Sequence, residues 1–316
     1  MISRVTWPAK RLEGLPRTVA WGVGLAFGTA AISGLAIYLN SFAVKQVSDP
    51  AVFTTLKNGV AAALLAARAA AAGGGGAVRA LRPRQWAGLV ALGVIGGSIP
   101  FLLFFTGLAQ ASAPSAAFIH KTLFVWVALL AVPFLGERLG WPQVAALAVL
   151  LAGQAIIQPP TGVVWGTGET MIAAATLLWS VEVVIAKRLL AGSIPASVAA
   201  AGRLGLGLVV LVGFLVATGK LAAIAELGPG QWAWVLLTGG LLFGYVATWY
   251  AALQRAPATV VTSVLVVGAV ITAAIQSASR GALPDGGLVA GYALMVVAVA
   301  AIAVLAGRTS AARFAA

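Results

Sequence analysis

The chain is a succession of apolar runs of about twenty residues, separated by short stretches rich in Gly, Pro and basic residues. The hydrocarbon core of a bilayer is roughly 30 Å thick, and a helix rising about 1.5 Å per residue crosses it in about twenty apolar residues. Inside the bilayer every backbone N–H and C=O must be paired internally, which leaves only helices and closed barrels. A barrel needs short alternating segments, whereas these runs are long and unbroken. The fold class is therefore all-α, a polytopic membrane protein. Composition agrees, because 9% of residues are charged where a soluble domain has about 25%.

The breaks define ten predicted spans, at 19–40, 50–70, 85–109, 113–134, 141–158, 164–187, 195–218, 231–253, 257–278 and 287–306. Asp49-Pro50, the glycines 73–76, Pro159-Pro160 and Pro284-Asp285 fall between them as turns. The basic start of the chain mimics a signal peptide, but nine further runs follow, so the first is read as a retained helix. With the N-terminus inside, fourteen of the twenty Lys and Arg fall on the inner side and three outside, Lys45, Lys220 and Arg280. Lys57, Lys121 and Arg203 lie within spans. This asymmetry predicts that both tails, 1–18 and 307–316, are cytoplasmic and that the protein lies in a cell (inner) membrane. It also accounts for the net charge of +13 without nucleic acid.

The chain repeats itself. Trp21-Gly22-Val23-Gly24 returns as Trp165-Gly166-Thr167-Gly168, and Pro83-Arg84-Gln85-Trp86-Ala87 as Pro229-Gly230-Gln231-Trp232-Ala233. Pro50 and Asn58 return as Pro195 and Arg203, and Gln110 as Gln254. Four matches in one order, at offsets of 144 to 146, give two five-helix copies, 19–158 and 164–306. Five is odd, so the copies are inserted upside down relative to each other. Inverted repeats are the architecture of secondary transporters, with the solute site near the midplane between halves that move.

The segment Phe134-Leu135-Gly136-Glu137-Arg138-Leu139 closing the fourth span, with Pro195 and Arg203 in the seventh, resembles the drug/metabolite transporter superfamily in its EamA-type branch. The first copy departs from the Pro-x7-Arg pattern with Asn58, beside Lys57. The second departs from the other motif with Arg280-Gly281-Ala282-Leu283. The resemblance implies ten helices and export of small metabolites, with aromatic and other neutral amino acids as the first expectation. Drugs or purine-like metabolites are the alternative in the same fold, and a channel or facilitator is the alternative of another class.

Ionisable groups inside a bilayer cost about 2.5 kcal/mol or more and call for an explanation. His120 and Lys121 sit about 10–12 Å below the outer end of the fourth span, and Lys57 sits at similar depth in the second. The lysines either snorkel outward along their stems or face one polar cavity, and the cavity is the expectation. At the 144 offset His120 and Lys121 become Val264 and Leu265, so packing of this fold does not require them. They are expected to serve an anionic solute group such as a carboxylate, with a neutral core histidine satisfied by a neighbouring hydroxyl or carbonyl as the alternative for His120. Glu182 and Arg203 are expected to form a partly buried ion pair. Its role is either neutralisation or that of a gate, in which Glu182 takes protons as the coupling ion. Tyr38, Phe101, Trp126, Tyr245 and Trp249 either pack helices and sit at interfaces or form an aromatic wall to the solute cavity. Pro100 and Gly244, repeat-related at 144, are candidate hinges.

The chain has one histidine and no cysteine, which leaves no expected metal site. A phosphate-binding G-x4-G-K-[ST] loop is absent from the sequence. No cofactor, enzymatic activity or partner protein is expected. The partners are a small-molecule substrate and the lipid bilayer, for a monomer or homodimer.

Overall fold

The computed structural model describes residues 15–47, 49–108, 110–111, 113–157, 165–192, 194–281 and 286–315. The Pro159-Pro160 and Pro284-Asp285 turns and most of the N-terminal tail lie outside these residues. The helices in chain order are α1 (Leu15–Gln46), α2 (Pro50–Ala71), α3 (Gly74–Arg79), α4 (Pro83–Gly97), α5 (Ile99–Leu108), α6 (Ala113–Lys121) and α7 (Leu123–Leu135). They continue with α8 (Trp141–Ile157), α9 (Thr167–Ala191), α10 (Ala196–Ala217), α11 (Pro229–Arg255), α12 (Ala258–Leu265), α13 (Val267–Arg280) and α14 (Gly286–Ala315). Among the described residues nine helical stretches are long and apolar enough to cross a membrane, and Trp141–Ile157 is a shorter apolar helix. These are the ten predicted spans. The third is α4 with α5, the fourth α6 with α7, and the ninth α12 with α13. The short α3 fills the loop after the second.

Several boundaries differ from expectation, with α1 running on to Gln46 and α9 to Ala191. The third span is interrupted at Ser98, where φ is −137° and ψ −74°. The last helix continues to Ala315, past the predicted end of the span at 306. After Gly307 the segment Ser310-Ala311-Ala312-Arg313-Phe314-Ala315 contains neither Gly nor Pro to stop it.

Helix starts follow local chemistry. Asp49 Oδ1 accepts from Ala51 N at 2.7 Å and Val52 N at 3.2 Å, capping α2 ahead of Pro50 at its first position. Gln85 and Gln231 explain the repeated Pro-x-Gln-Trp-Ala phrase. Each side-chain oxygen accepts from a backbone N–H three residues earlier, Arg82 at 2.9 Å and Gly228 at 2.8 Å. Each side-chain amide then crosses to the other copy, Gln85 Nε2 to Gly192 O at 3.3 Å and Gln231 Nε2 to Gln46 O at 2.8 Å. Gln46 and Gly192 are themselves related by 146 residues.

The packing repeats in the same way. The first span packs on the eighth as the sixth packs on the third, and the second on the eighth as the seventh on the third. The first meets the ninth as the sixth meets the fourth. The second and seventh, fourth and ninth, and fifth and tenth pair with each other. That is the contact pattern of a pseudo-two-fold between the copies. Buried side chains such as Phe53, Phe124, Leu204 and Tyr250 fill the inside, while Leu129, Val209, Val297 and other large apolar groups are exposed on the outside. An apolar exterior of this kind is what lipid covers.

Candidate functional site

Pro100 organises the centre. It has no N–H to give the carbonyl of Gly96, four residues earlier, and that carbonyl is buried in the bundle. Trp179 Nε1 donates to Gly96 O at 3.1 Å and Arg203 Nη2 at 3.2 Å. Asn58 Nδ2 reaches the next carbonyl, Gly97 O, at 3.4 Å. Thus the break predicted around Pro100 falls two residues before it, and its free acceptor ties the third span to the sixth and seventh.

Arg203 continues into a buried polar cluster. Its Nε lies 3.4 Å from Glu182 Oε1, and both side chains are almost wholly buried. Tyr250 Oη donates to the same oxygen at 2.5 Å. The pair expected to be partly buried is therefore deep inside, with a tyrosine as third member.

Trp179 also joins a ring layer. Phe101 and Phe104 lie 5.3 Å and 5.6 Å from it, and His120 packs at 5.1 Å from both Phe104 and Trp179. His120 Nδ1 is buried without a hydrogen-bond partner among the described residues.

Lys57 is 4% exposed and does not snorkel to the surface. Its Nζ lies 4.4 Å from the Phe105 ring centre, 5.2 Å from Phe53 and 6.0 Å from Phe101, with Asn40 Oδ1 at 3.5 Å. Ring faces attract a cation but do not neutralise it. Lys121, also buried, ends α6. Next to it Thr122 tightens the helix, with ψ near −5° and an i to i+3 bond from Thr122 N to Ile119 O. The ninth span tightens in the same way at Val266, through Val266 N to Ser263 O. Thr122 and Val266 are 144 residues apart. Between these two points lies a crevice walled by His120, Lys121, Phe124, Thr262, Leu265 and neighbours. It has room for about one water and not for a metabolite. Among the described residues no carboxylate is paired with either lysine.

The structure does not bring Lys57 and Lys121 into one cavity. Lys57 rests on Phe101 and Phe105, Lys121 lines the crevice, and the Phe101–Trp179–Phe104–His120 layer links the two regions. Tyr38 packs edge-on against Phe42, one turn further along α1. Trp126 is 40% exposed; with Leu129 and Val132 it forms an exposed apolar stripe at helical spacing, so its ring faces outward. Tyr245 and Trp249 stack on each other at 6.0 Å, and it is their neighbour Tyr250 that reaches Glu182. Gly244 is no break: α11 runs through it, because glycine keeps the N–H that proline lacks. The central residues the sequence did not single out are Asn40, Phe53, Gly96 and Thr262. A proline four residues beyond Gly96 is the one signal that pointed there.

Two inverted five-helix copies around a buried, ring-lined centre with uncompensated cations define a transporter of small molecules within a membrane. Comparison with known proteins makes this specific. The model of the EamA-like transporter family matches residues 20–158 and again 166–304. The chain belongs to the EamA-like transporter family, and with it to the drug/metabolite transporter superfamily. A solved crystal structure aligns over 92% of this chain and 99% of its own, with a TM-score of 0.74 at 20% identity, a likeness of fold. No curated protein matches the chain.

Proposed function

We propose that this protein exports small solutes bearing a carboxylate, neutral and aromatic amino acids first among them, by alternating access between its two copies. In this reading it lies in a cell (inner) membrane with both termini cytoplasmic. The observation that carries it is Lys57, a buried cation set among Phe53, Phe101 and Phe105 with an amide oxygen as its polar neighbour. A buried charge without a counter-ion is costly, and a carboxylate entering from solution supplies one. The adjacent rings suit an apolar or aromatic side chain. Lys121 and His120, beside the tightened turn of the fourth span, are the second contact region along the path.

The test is efflux from liposomes loaded with labelled aromatic and aliphatic amino acids, a purine and a cationic drug, with and without a pH gradient. Saturable amino-acid efflux, lost in Lys57→Met and Lys121→Ala, supports the reading. Efflux of the drug or purine alone, unaffected by these substitutions, removes the carboxylate from it.

A further inference from the structure

The Phe134-Leu135-Gly136-Glu137-Arg138-Leu139 phrase takes no part in the centre. Gly136 has φ +66°, a left-handed conformation that glycine adopts without strain. It ends α7 and turns Glu137 onto the other copy. Glu137 Oε1 accepts from Ala258 N at 2.6 Å, and Oε2 from Thr259 N at 3.2 Å and Thr259 Oγ1 at 2.6 Å. These are the free amides that open α12. A carboxylate there is favoured both by its hydrogen bonds and by the positive end of the helix.

Two cations do the converse at the same end. Arg188 Nη2 and Nε donate to Phe134 O, at the close of α7, at 2.7 Å and 3.1 Å. Lys187 Nζ donates to Leu253 O at 2.5 Å and Ala256 O at 2.7 Å, at the close of α11. Each charge thus sits on a helix end of opposite sign. Glu137 and Arg188 both cross from one copy to the other.

The repeats supply an internal control. Gly281 has φ +63° and ends α13 as Gly136 ends α7, but Ala282 follows where Glu137 stands. At the 144 offset Lys187 and Arg188 become Ala43 and Val44. Among the described residues the other end is held by Gln231 on Gln46 and by Lys220 Nζ on Asp49 Oδ2 at 2.7 Å, with Lys220 40% exposed. Exposed ion pairs contribute little. In an inverted repeat, equal latches at both ends favour neither state. A latch at one end shifts the population toward the state closed there.

We infer that Glu137, with Arg188 and Lys187, is a one-sided latch that holds the unloaded carrier closed at the end bearing the basic loops. Glu137 is a positioning residue: it sets α12, and through α12 the Thr262 wall of the crevice facing Lys121. This rests on the carrier reading and on no particular substrate.

The chain has no cysteine, so a Thr262→Cys reporter has no background. A membrane-impermeant maleimide is applied to either side of reconstituted vesicles, with an Arg79→Cys chain marking the basic side. We expect Glu137→Ala to raise basic-side labelling about tenfold or more, the scale of charge-assisted bonds lost, and Glu137→Asp to return part of it. Unchanged labelling in a monodisperse Glu137→Ala protein overturns the proposal. So does a rise equal from both sides, which marks a merely structural cap. If Glu137→Ala does not fold, Arg188→Ala gives the same reading with the same two outcomes. Labelling of the parent reporter from both sides alike marks a channel and removes the carrier reading itself.

Discussion

Two buried cations a few helices apart predict opposite responses to losing charge. Arg203 has Glu182 and the Gly96 carbonyl, so Glu182→Ala leaves a buried guanidinium unpaired and is expected to destabilise by about 3–5 kcal/mol. Adding Arg203→Met should recover much of the loss, read as a double-mutant cycle of thermal unfolding in detergent. Lys57 has rings and one amide oxygen, so Lys57→Met should stabilise by about 1–3 kcal/mol while apparent affinity for a carboxylate solute falls at least about tenfold. A Lys57→Met protein less stable than its parent would count against an uncompensated charge. Asp49 allows a pH test outside the membrane. Burial pushes its carboxyl up, but the Lys220 ammonium and the amides of Val52 and Ala51 outweigh it, leaving its pKa below the ordinary 3.8. An acid lowered in the fold stabilises above its unfolded pKa and loses that contribution as pH falls through the folded value. Asp49→Asn keeps the helix cap. It should therefore lower stability at neutral pH by about 1 kcal/mol or less given the exposure of the pair, read as a lower thermal midpoint, and have a vanishing effect once the pH falls below the folded pKa. Lys57, Lys121, Glu182 and Arg203 were visible in the sequence because charge inside an apolar run stands out. Which groups they meet was not. Asn40, Phe101 and Phe105 come from other helices, so that Phe101 was a candidate ring but not a neighbour of Lys57, and choosing Tyr250 over Tyr245 needs the rotational phase of α11, which a largely apolar helix does not reveal.

At the scale of the helix, Pro100 and Gly244 occupy equivalent repeat positions yet behave differently, for a reason that lies in the peptide bond. Proline removes a donor, and the carbonyl it strands becomes a hub; glycine removes only a Cβ, and the ladder of α11 passes through. The glycines that matter are those on which another backbone rests. A Cβ on Gly97 would run into the Arg203 carbonyl, and one on Gly93 would lie 2.6 Å from Leu206 Cβ. In the second copy the close contact belongs to Gly239, where a Cβ would come within 2.7 Å of Val60 Cβ, while at Gly240 none lies within 4 Å. Gly93 with Gly97, and Gly240 with Gly244, have the small-x3-small spacing that allows close helix approach, but spacing does not say which glycine of a run faces the neighbour. Gly97→Ala is expected to destabilise by about 1–3 kcal/mol or more, because backbone must move. At Gly244 a Cβ meets only Ile32 Cδ1, at 3.4 Å, so Gly244→Ala should be neutral or stabilising by up to about 1 kcal/mol. Thermal midpoints of the two alanine variants decide it. Equal losses at both positions would mean that Gly244 is as crowded as Gly97.

For the whole molecule, inverted repeats and tied ends argue for a carrier over a channel. The repeat was legible because it leaves local marks, a Trp-Gly pair and a Pro-x-Gln-Trp-Ala helix start, each with its own capping or turn chemistry. The tightened turns at Thr122 and Val266 were not, since neither residue disfavours a helix strongly and the turns show only in the hydrogen bonds. A channel needs one route open throughout. Here the crevice between those turns admits about one water, and cross-copy bonds hold both ends, Gln85 to Gly192 and Glu137 to α12 at one, Gln231 to Gln46 at the other. On the carrier reading proposed above, contacts at the two ends open in turn, which makes the loaded site mobile and the crossing saturable. Vesicles preloaded with unlabelled solute and diluted into a trace of labelled solute should accumulate label transiently above its equilibrium level, because each outward crossing returns a site that carries label in. A channel fills to equilibrium and does not overshoot. Overshoot that survives Gly244→Ala but is abolished by Lys57→Met would place the mobile site at the ring-lined centre.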